Sequence, residues 1–226
     1  YNALANHRRY PRYVNTLTSL NLYADACSHA IGWCVVGGSL VNPLYANSSL
    51  VPLNQCSWSI VRKEHLALER GLESLYQLLT GDFFPFSTTR RIGVFTDSLI
   101  VKQRVDKILR RLRDDTEGNK ACKIPKSWSA WEFNHSLKAA RLLLDIAEAM
   151  PQLAQGPPVV LFEHCPGALN IADPFSRGLD PAVVDIENAQ AWLDSIHQGK
   201  ARSSTDVVNL VVSGPDQAEE EHSLFH

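Results

Sequence analysis

Apolar and polar positions change period several times along the chain, and each change marks an element. Leu20 to Ala26 alternates with the two-residue period of a half-buried strand. Ala30 to Val36 is a denser apolar run holding Trp33, Cys34, Val35 and Val36, ended by Gly37-Gly38. The short Cys27-Ser28-His29 connection makes these two an antiparallel hairpin. Residues 39–47, with Pro43 and Asn47, read as a loop, and Ser48 to Ser59 as a third strand interrupted near Pro52. From Arg62 to Leu79 the period becomes helical, with Leu66, Leu68, Leu72, Leu75, Leu78 and Leu79 on one stripe, stopped by Thr80-Gly81-Asp82. Phe83-Phe84-Pro85-Phe86 reads as an aromatic loop lying over the core.

Ile92 to Phe95 is a buried strand that runs through Thr96-Asp97-Ser98 into a helix reaching about Arg113. Residues 114–130, with Asp114, Asp115, Gly118, Asn119 and Pro125, read as an irregular insertion. A long helix follows from Asn134 or Ser136 to Met150, broken by Pro151 and Gly156-Pro157-Pro158. Val159 to Phe162 is a continuous apolar run, as in a central strand. A turn at Pro166-Gly167 leads to a last helix within Pro181–His197. The order β-β-β-α-β-α-insertion-α-β-α defines an α/β chain. Residues 1–17 read as a basic lead-in, 18–198 as one domain, and 199–226 as a polar, acidic, disordered tail despite its Val207–Val212 run.

Composition adds few constraints. An apolar content of 45% and a charged content of 20% are ordinary globular values. A net charge of -2 gives no global attraction to polyanions, so an anionic partner requires a local basic patch. The five cysteines are odd in number and widely spaced, which argues against a disulfide framework or zinc site and for a reducing, intracellular setting. No run is long enough to span a bilayer. The first residue is Tyr1 rather than Met, which reads as a piece of a longer polypeptide.

Four acids fall at element boundaries: Asp25 near the end of the first strand, Glu64 in the first turn of the first helix, Asp97 at the end of the fourth strand, and Asp173 after the fifth. Singly, each is explained by a turn, a helix cap or a favourable charge at a helix N-terminus. Together on one sheet they would repel one another, and hard divalent cations relieve such repulsion. Glu69 competes with Glu64; five residues along a helix turn it about 140° away, so only one can face the site, and the Leu-Ala-Leu register after Glu64 favours Glu64.

Several motifs resemble one family. Asp25-Ala-Cys-Ser before Gly32, Arg62-Lys-Glu64-His-Leu-Ala-Leu, Thr96-Asp97-Ser98, and Glu163-His164-Cys-Pro-Gly167 followed by Asn170-Ile-Ala-Asp173-Pro-Phe-Ser-Arg177-Gly178 resemble the type 1 ribonuclease H domains of LTR-retroelement reverse transcriptases, of the Bel/Pao or gypsy kind. The resemblance covers roughly residues 18–180; Cys27 and His65 depart from it at positions that should hold no metal. It implies a ribonuclease H-like fold: a five-stranded mixed sheet, three antiparallel strands then two parallel, flanked by helices. It implies metal-dependent hydrolysis of the RNA strand of RNA–DNA hybrids beside an adjoining reverse transcriptase domain, in the cytoplasm or a retroelement particle. Asp25, Glu64, Asp97 and Asp173 would hold two magnesium ions, with manganese able to substitute, and His164 would assist proton transfer or product release.

Substrate grip is expected from Lys102, Arg104 and Lys107 with Arg110, Arg111 and Arg113 on the helix after Asp97, from Lys120, Lys123 and Lys126 in the insertion, and from Ser98, Asn170 and Arg177 inside the matched motifs. Trp128 and Trp131 read as core rather than base-stacking residues. Two alternatives stay open: an integrase or transposase core on the same fold, and an inactive binding or scaffolding remnant.

Overall fold

The computed structural model describes residues 19–40, 43–81, 89, 91–114, 123–150, 159–180, 183–198 and 208–211. The lead-in 1–17, the aromatic segment Phe83–Phe86, residues 115–122 of the insertion and most of the tail lie outside the described residues. The strands are β1 (Ser19–Ala26), β2 (Ala30–Val36), β3 (Pro43–Leu50), β4 (Arg91–Thr96), β5 (Val159–His164) and β6 (Val208–Val211). The helices are α1 (Ile60–Thr80), α2 (Leu99–Asp114), α3 (Ala130–Ala149), the short α4 (Asp173–Arg177) and α5 (Ile186–His197).

The strands form one sheet in the order β3-β2-β1-β4-β5-β6. The β1–β2 and β2–β3 pairs are antiparallel, and β1–β4 and β4–β5 are parallel. The first five match the expected ribonuclease H-like arrangement, three antiparallel strands then two parallel, and β6 adds a sixth, antiparallel to β5. Both faces of the central strands are covered, so alternate residues enter different cores. Leu20, Leu22, Ala24, Ile92 and Val94 pack with α1, α2 and α3. Tyr23 and Phe95, with ring centroids 4.8 Å apart, face the other way towards α5, whose Trp192 meets Phe95 edge-on at 5.1 Å.

Three expectations are corrected. β3 begins at Pro43 and ends at Leu50, so the expected loop is largely strand and the expected strand largely turn. The sheet edge explains the error: β3 is mostly exposed and carries no apolar alternation, and Pro43 at its first residue gives up a donor that an edge strand does not need. α3 starts at Ala130, a turn early, because Ser129 and Glu132 form a capping box in which each side chain receives the other's backbone N–H. Within the tail, Val208–Val211 pairs antiparallel with β5, from Val159↔Val211 to Phe162↔Val208. The five-residue α4 is too short to show a helical period in the sequence. Pro174 opens it, and Gly178, at φ 66°, closes it in the left-handed region.

Two close approaches fix what surrounds the acids. Gly71 lets α1 lie on β1: a Cβ there would stand 2.9 Å from a Leu22 methyl. Glu64 lies two turns earlier on the same helical face. Gly32 lets α4 lie on β2: a Cβ there would stand 2.4 Å from the Ser176 nitrogen and 2.7 Å from the Phe175 carbonyl carbon. Backbone atoms cannot yield as a flexible side chain can. Gly32→Ala should therefore destabilise the fold by about 1–3 kcal/mol, the usual cost of overpacking, read as a lowered midpoint in urea melts.

Candidate metal centre

The parallel pairing brings two acids side by side. Ala24 is opposite Thr96 across the β1–β4 pair, so Asp25, still paired with Gly32 of β2, and Asp97, just past the end of β4, lie side by side near the carboxyl ends of their strands. α1 crosses that end and adds Glu64. Carboxylate oxygens of Asp25, Glu64 and Asp97 all lie within 4.8 Å of one another. Their cleft, of about 630 Å³, is also lined by Cys27, Ser28, His29, Ile60, Arg177 and Leu179 among others.

Several side chains hold the acids in place. Ser176 is buried on α4; its hydroxyl donates to Asp25 Oδ2 and lies 3.0 Å from the Asp173 carbonyl. Asn170, also buried, donates from Nδ2 to the Ala24 carbonyl at 3.0 Å, accepts the Ala172 N–H at 3.1 Å and hydrogen-bonds the Asp97 side chain. His164 Nε2 donates to the Asp97 carbonyl at 3.0 Å, which sets its tautomer. The buried ammonium of Lys63 donates to the Ser28 and Cys56 carbonyls, tying the β1–β2 turn to the approach to α1.

Asp173 stands apart from the cluster of three. Its Oδ1 is 2.6 Å from Arg177 Nε, one turn along α4, although its charge still acts on Asp25. Glu69 is excluded, as the helical rotation predicts: it faces α3, where it meets His135 and, at 3.2 Å, Lys138.

The expected nucleic-acid strip is only partly a surface. Lys102 is a correction: it is fully buried and paired with Asp106 at 2.6 Å, so it cannot reach solvent. Asn170 is likewise 1% exposed and spent on the backbone and Asp97. Arg104 pairs with Glu132 at 3.0 Å and lies over Trp128, as does Lys107. Trp128 packs against the core, in keeping with its sequence reading. Lys107, Arg110, Lys123, Lys126 and Arg177 are exposed, and Ser98 is half-buried at the start of α2. Arg111 donates to the Lys123 carbonyl at 2.9 Å, joining the insertion to α2. Lys120 and the Arg113 side chain lie outside the described residues. Sequence reasoning missed Ser176 and Lys63. Ser176 had a visible signal, its place beside Arg177 in the last motif; Lys63 had none.

The donor set fits a hard divalent cation. The acids are all-oxygen ligands, and Glu64 Oε2 and Asp97 Oδ1 are buried without a hydrogen-bond partner. Burial, with the charges of Asp97 and Asp25, pushes Glu64 up to about 9. Burial also pushes Asp25 up to about 7, with Asp97 and Asp173 adding to the rise and the Ser176 hydroxyl opposing it. Asp97 is raised as well, chiefly by burial.

No protein-family model matches the sequence, and no curated protein matches it. Among solved structures it is similar to an N-terminal RNase H domain from Mycobacterium tuberculosis, fused to maltose-binding protein, at 16% identity and a TM-score of 0.45, over 78% of this chain and 99% of that one. It is also similar to a foamy virus protease–reverse transcriptase in complex with double-stranded DNA, at 9% identity and a TM-score of 0.41, over 73% of this chain and 24% of that one. Native prototype foamy virus protease–reverse transcriptase matches at 12% identity and a TM-score of 0.39, over 86% of this chain and 22% of that one. The chain thus spans about a quarter of the viral proteins' length. No helix among the described residues is long and apolar enough to cross a membrane.

A pH dependence follows from the raised acids. Without a cation, folded Asp25 and Glu64 keep protons that the unfolded chain releases near its ordinary 3.8 and 4.5. The folded state then binds more protons than the unfolded one, so stability falls as pH rises from about 4 to about 9. Cation-free protein should show a falling Tm across that window, and Mg2+ or Mn2+ should raise Tm more at about pH 8 than at about pH 5.5. A cation effect equal at both pH values, or retained in Asp97→Asn, would speak against a metal centre here.

Proposed function

We propose that this domain is a metal-dependent endonuclease of ribonuclease H type, hydrolysing the RNA strand of RNA–DNA hybrids beside a reverse transcriptase in a retroelement polyprotein. One observation carries the reading: three carboxylates converge at the carboxyl ends of two parallel strands and the start of one helix, with buried oxygens lacking partners. Asp25, Glu64 and Asp97 would hold the divalent cations, magnesium or manganese, with Asp173 at their margin. When bound, such ions activate water and stabilise the charge that develops on the leaving oxygen of a phosphodiester.

The remaining roles belong to the chain. Ser176 and Asn170 fix the Asp25 and Asp97 carboxylates, so these two ligands are in place before substrate arrives. His164, anchored on the Asp97 backbone, would move a proton or aid departure of product. Lys107, Arg110, Lys123 and Lys126 offer phosphate contacts that give affinity without reading sequence. The 2′-hydroxyl distinguishes the RNA strand across a minor groove. The position of Glu64, on the helix after the third strand, favours this reading over an integrase-like core, whose catalytic glutamate comes late in the chain.

A cleavage assay on a labelled RNA–DNA hybrid with Mg2+ tests the reading. RNA-strand cleavage is expected, with the rate falling by at least about 1000-fold in Asp97→Asn and by a smaller factor in His164→Ala. Cleavage of duplex DNA instead would point to the integrase-like alternative, and binding without cleavage to a scaffold. Hybrid affinity should also weaken steeply with salt, and each of Lys107→Ala and Lys126→Ala should lower the logarithmic salt slope by about 1. Unchanged slopes would remove those lysines from the interface.

A further inference from the structure

We infer that Arg177 is a latch, holding Asp173 outside the carboxylate cluster until a phosphate takes the place of Asp173 on the guanidinium. The inference rests on the proposed function and adds to it a coupling between phosphate and cation. Asp25, Glu64 and Asp97 meet within 4.8 Å, and Asp173 is not among them. Its carboxylate instead lies 2.6 Å from Arg177 Nε.

The backbone that carries both residues has little freedom. α4 is held against β2 at Gly32, to β1 by the Ser176–Asp25 hydrogen bond, and by the Cys27 thiol, which donates to the Ser176 carbonyl at 3.0 Å. Movement of Asp173 towards the cluster is therefore a side-chain rotation. The pair that opposes it joins an exposed Arg177, its side chain 54% accessible, to a half-buried Asp173 at 29%, and pairs open to solvent on one side are weak.

Arg177 also lines the cleft beside Asp25, Glu64 and Asp97, so an anion entering the cleft meets its guanidinium. A phosphate diester is the better partner, since its oxygens match the planar guanidinium fork two at a time. Once Arg177 turns to phosphate, Asp173 loses its counter-charge beside three other acids. The added negative charge then favours a further cation in the cluster. By linkage, phosphate tightens cation binding and the cation tightens phosphate binding by the same factor.

Mn2+ titrations of the full chain, followed by electron paramagnetic resonance, test this without requiring turnover. Wild-type protein should bind one Mn2+ tightly and a second weakly. Arg177→Gln should tighten the second ion by about fivefold, the scale of an exposed ion pair, and Asp173→Asn in the same chain should abolish that gain. A 2′-O-methyl RNA–DNA hybrid, as uncleaved probe, should tighten the second ion in wild type and add little in Arg177→Gln. An unmoved second ion in Arg177→Gln, a gain that survives Asp173→Asn, or equal tightening by hybrid in both proteins overturns the latch alone. Failure of wild type to bind any Mn2+ overturns the metal-centre reading and the latch with it.

Discussion

Three carboxylates within 4.8 Å of one another, two buried and one half-buried, are an unfavourable arrangement in any fold, because each resists the ionisation of the others. The architecture around them reads as a set of devices that hold this conflict in place. Parallel pairing of β1 with β4 forces Asp25 and Asp97 together, since both follow residues paired across the sheet. Close contact at Gly71 sets α1 on β1 and places Glu64 above the pair. Ser176 and Asn170 then donate hydrogen bonds that favour the charged forms of Asp25 and Asp97. What burial takes from these acids is returned only in part by these hydrogen bonds, so their ordinary charged forms stay disfavoured.

The same economy of position separates structural charge from functional charge. Lys102 and Asp106 neutralise one another inside the protein, one helical turn apart, beneath a helix whose other face carries Lys107 and Arg110. Glu69, Glu73, His135 and Lys138 link α1 to α3 across a surface unrelated to the cleft. The charges left exposed are therefore a subset of those along α2 and the insertion. A count of basic residues along the helix overstates that face.

Legibility in the sequence follows where burial is strong. Central strands and long amphipathic helices appear in their periodicity because each has a face or both faces in a core. β2 was found at its full extent for that reason. β3 was misplaced because an exposed edge strand has no side-chain pattern to obey. The convergence of Asp25, Glu64 and Asp97 is legible in their places at element ends, and helical rotation together with the Leu-Ala-Leu register after Glu64 separates Glu64 from Glu69. Lys102 and Asn170 differ from their sequence reading because residue type announces polarity but not destination: both are buried, Lys102 paired with Asp106 and Asn170 bonded to the Ala24 carbonyl. The state of Asp173 was not visible either, since its pairing with Arg177 depends on rotamers within one turn of helix.

The hydrogen bond between Ser176 and Asp25 joins residues 151 positions apart. During synthesis, β1 with its acid leaves the ribosome first, and the residues that complete its surroundings come much later. β1 and β2 can form their hairpin early, but the seat of α4 on Gly32 stays vacant until nearly the whole domain has been made. Long-range closure of this kind is slow compared with local pairing. The carboxylate centre is thus among the last parts of the domain to take its final shape, and a nascent chain carries its charged strand end without the clamp that later defines it.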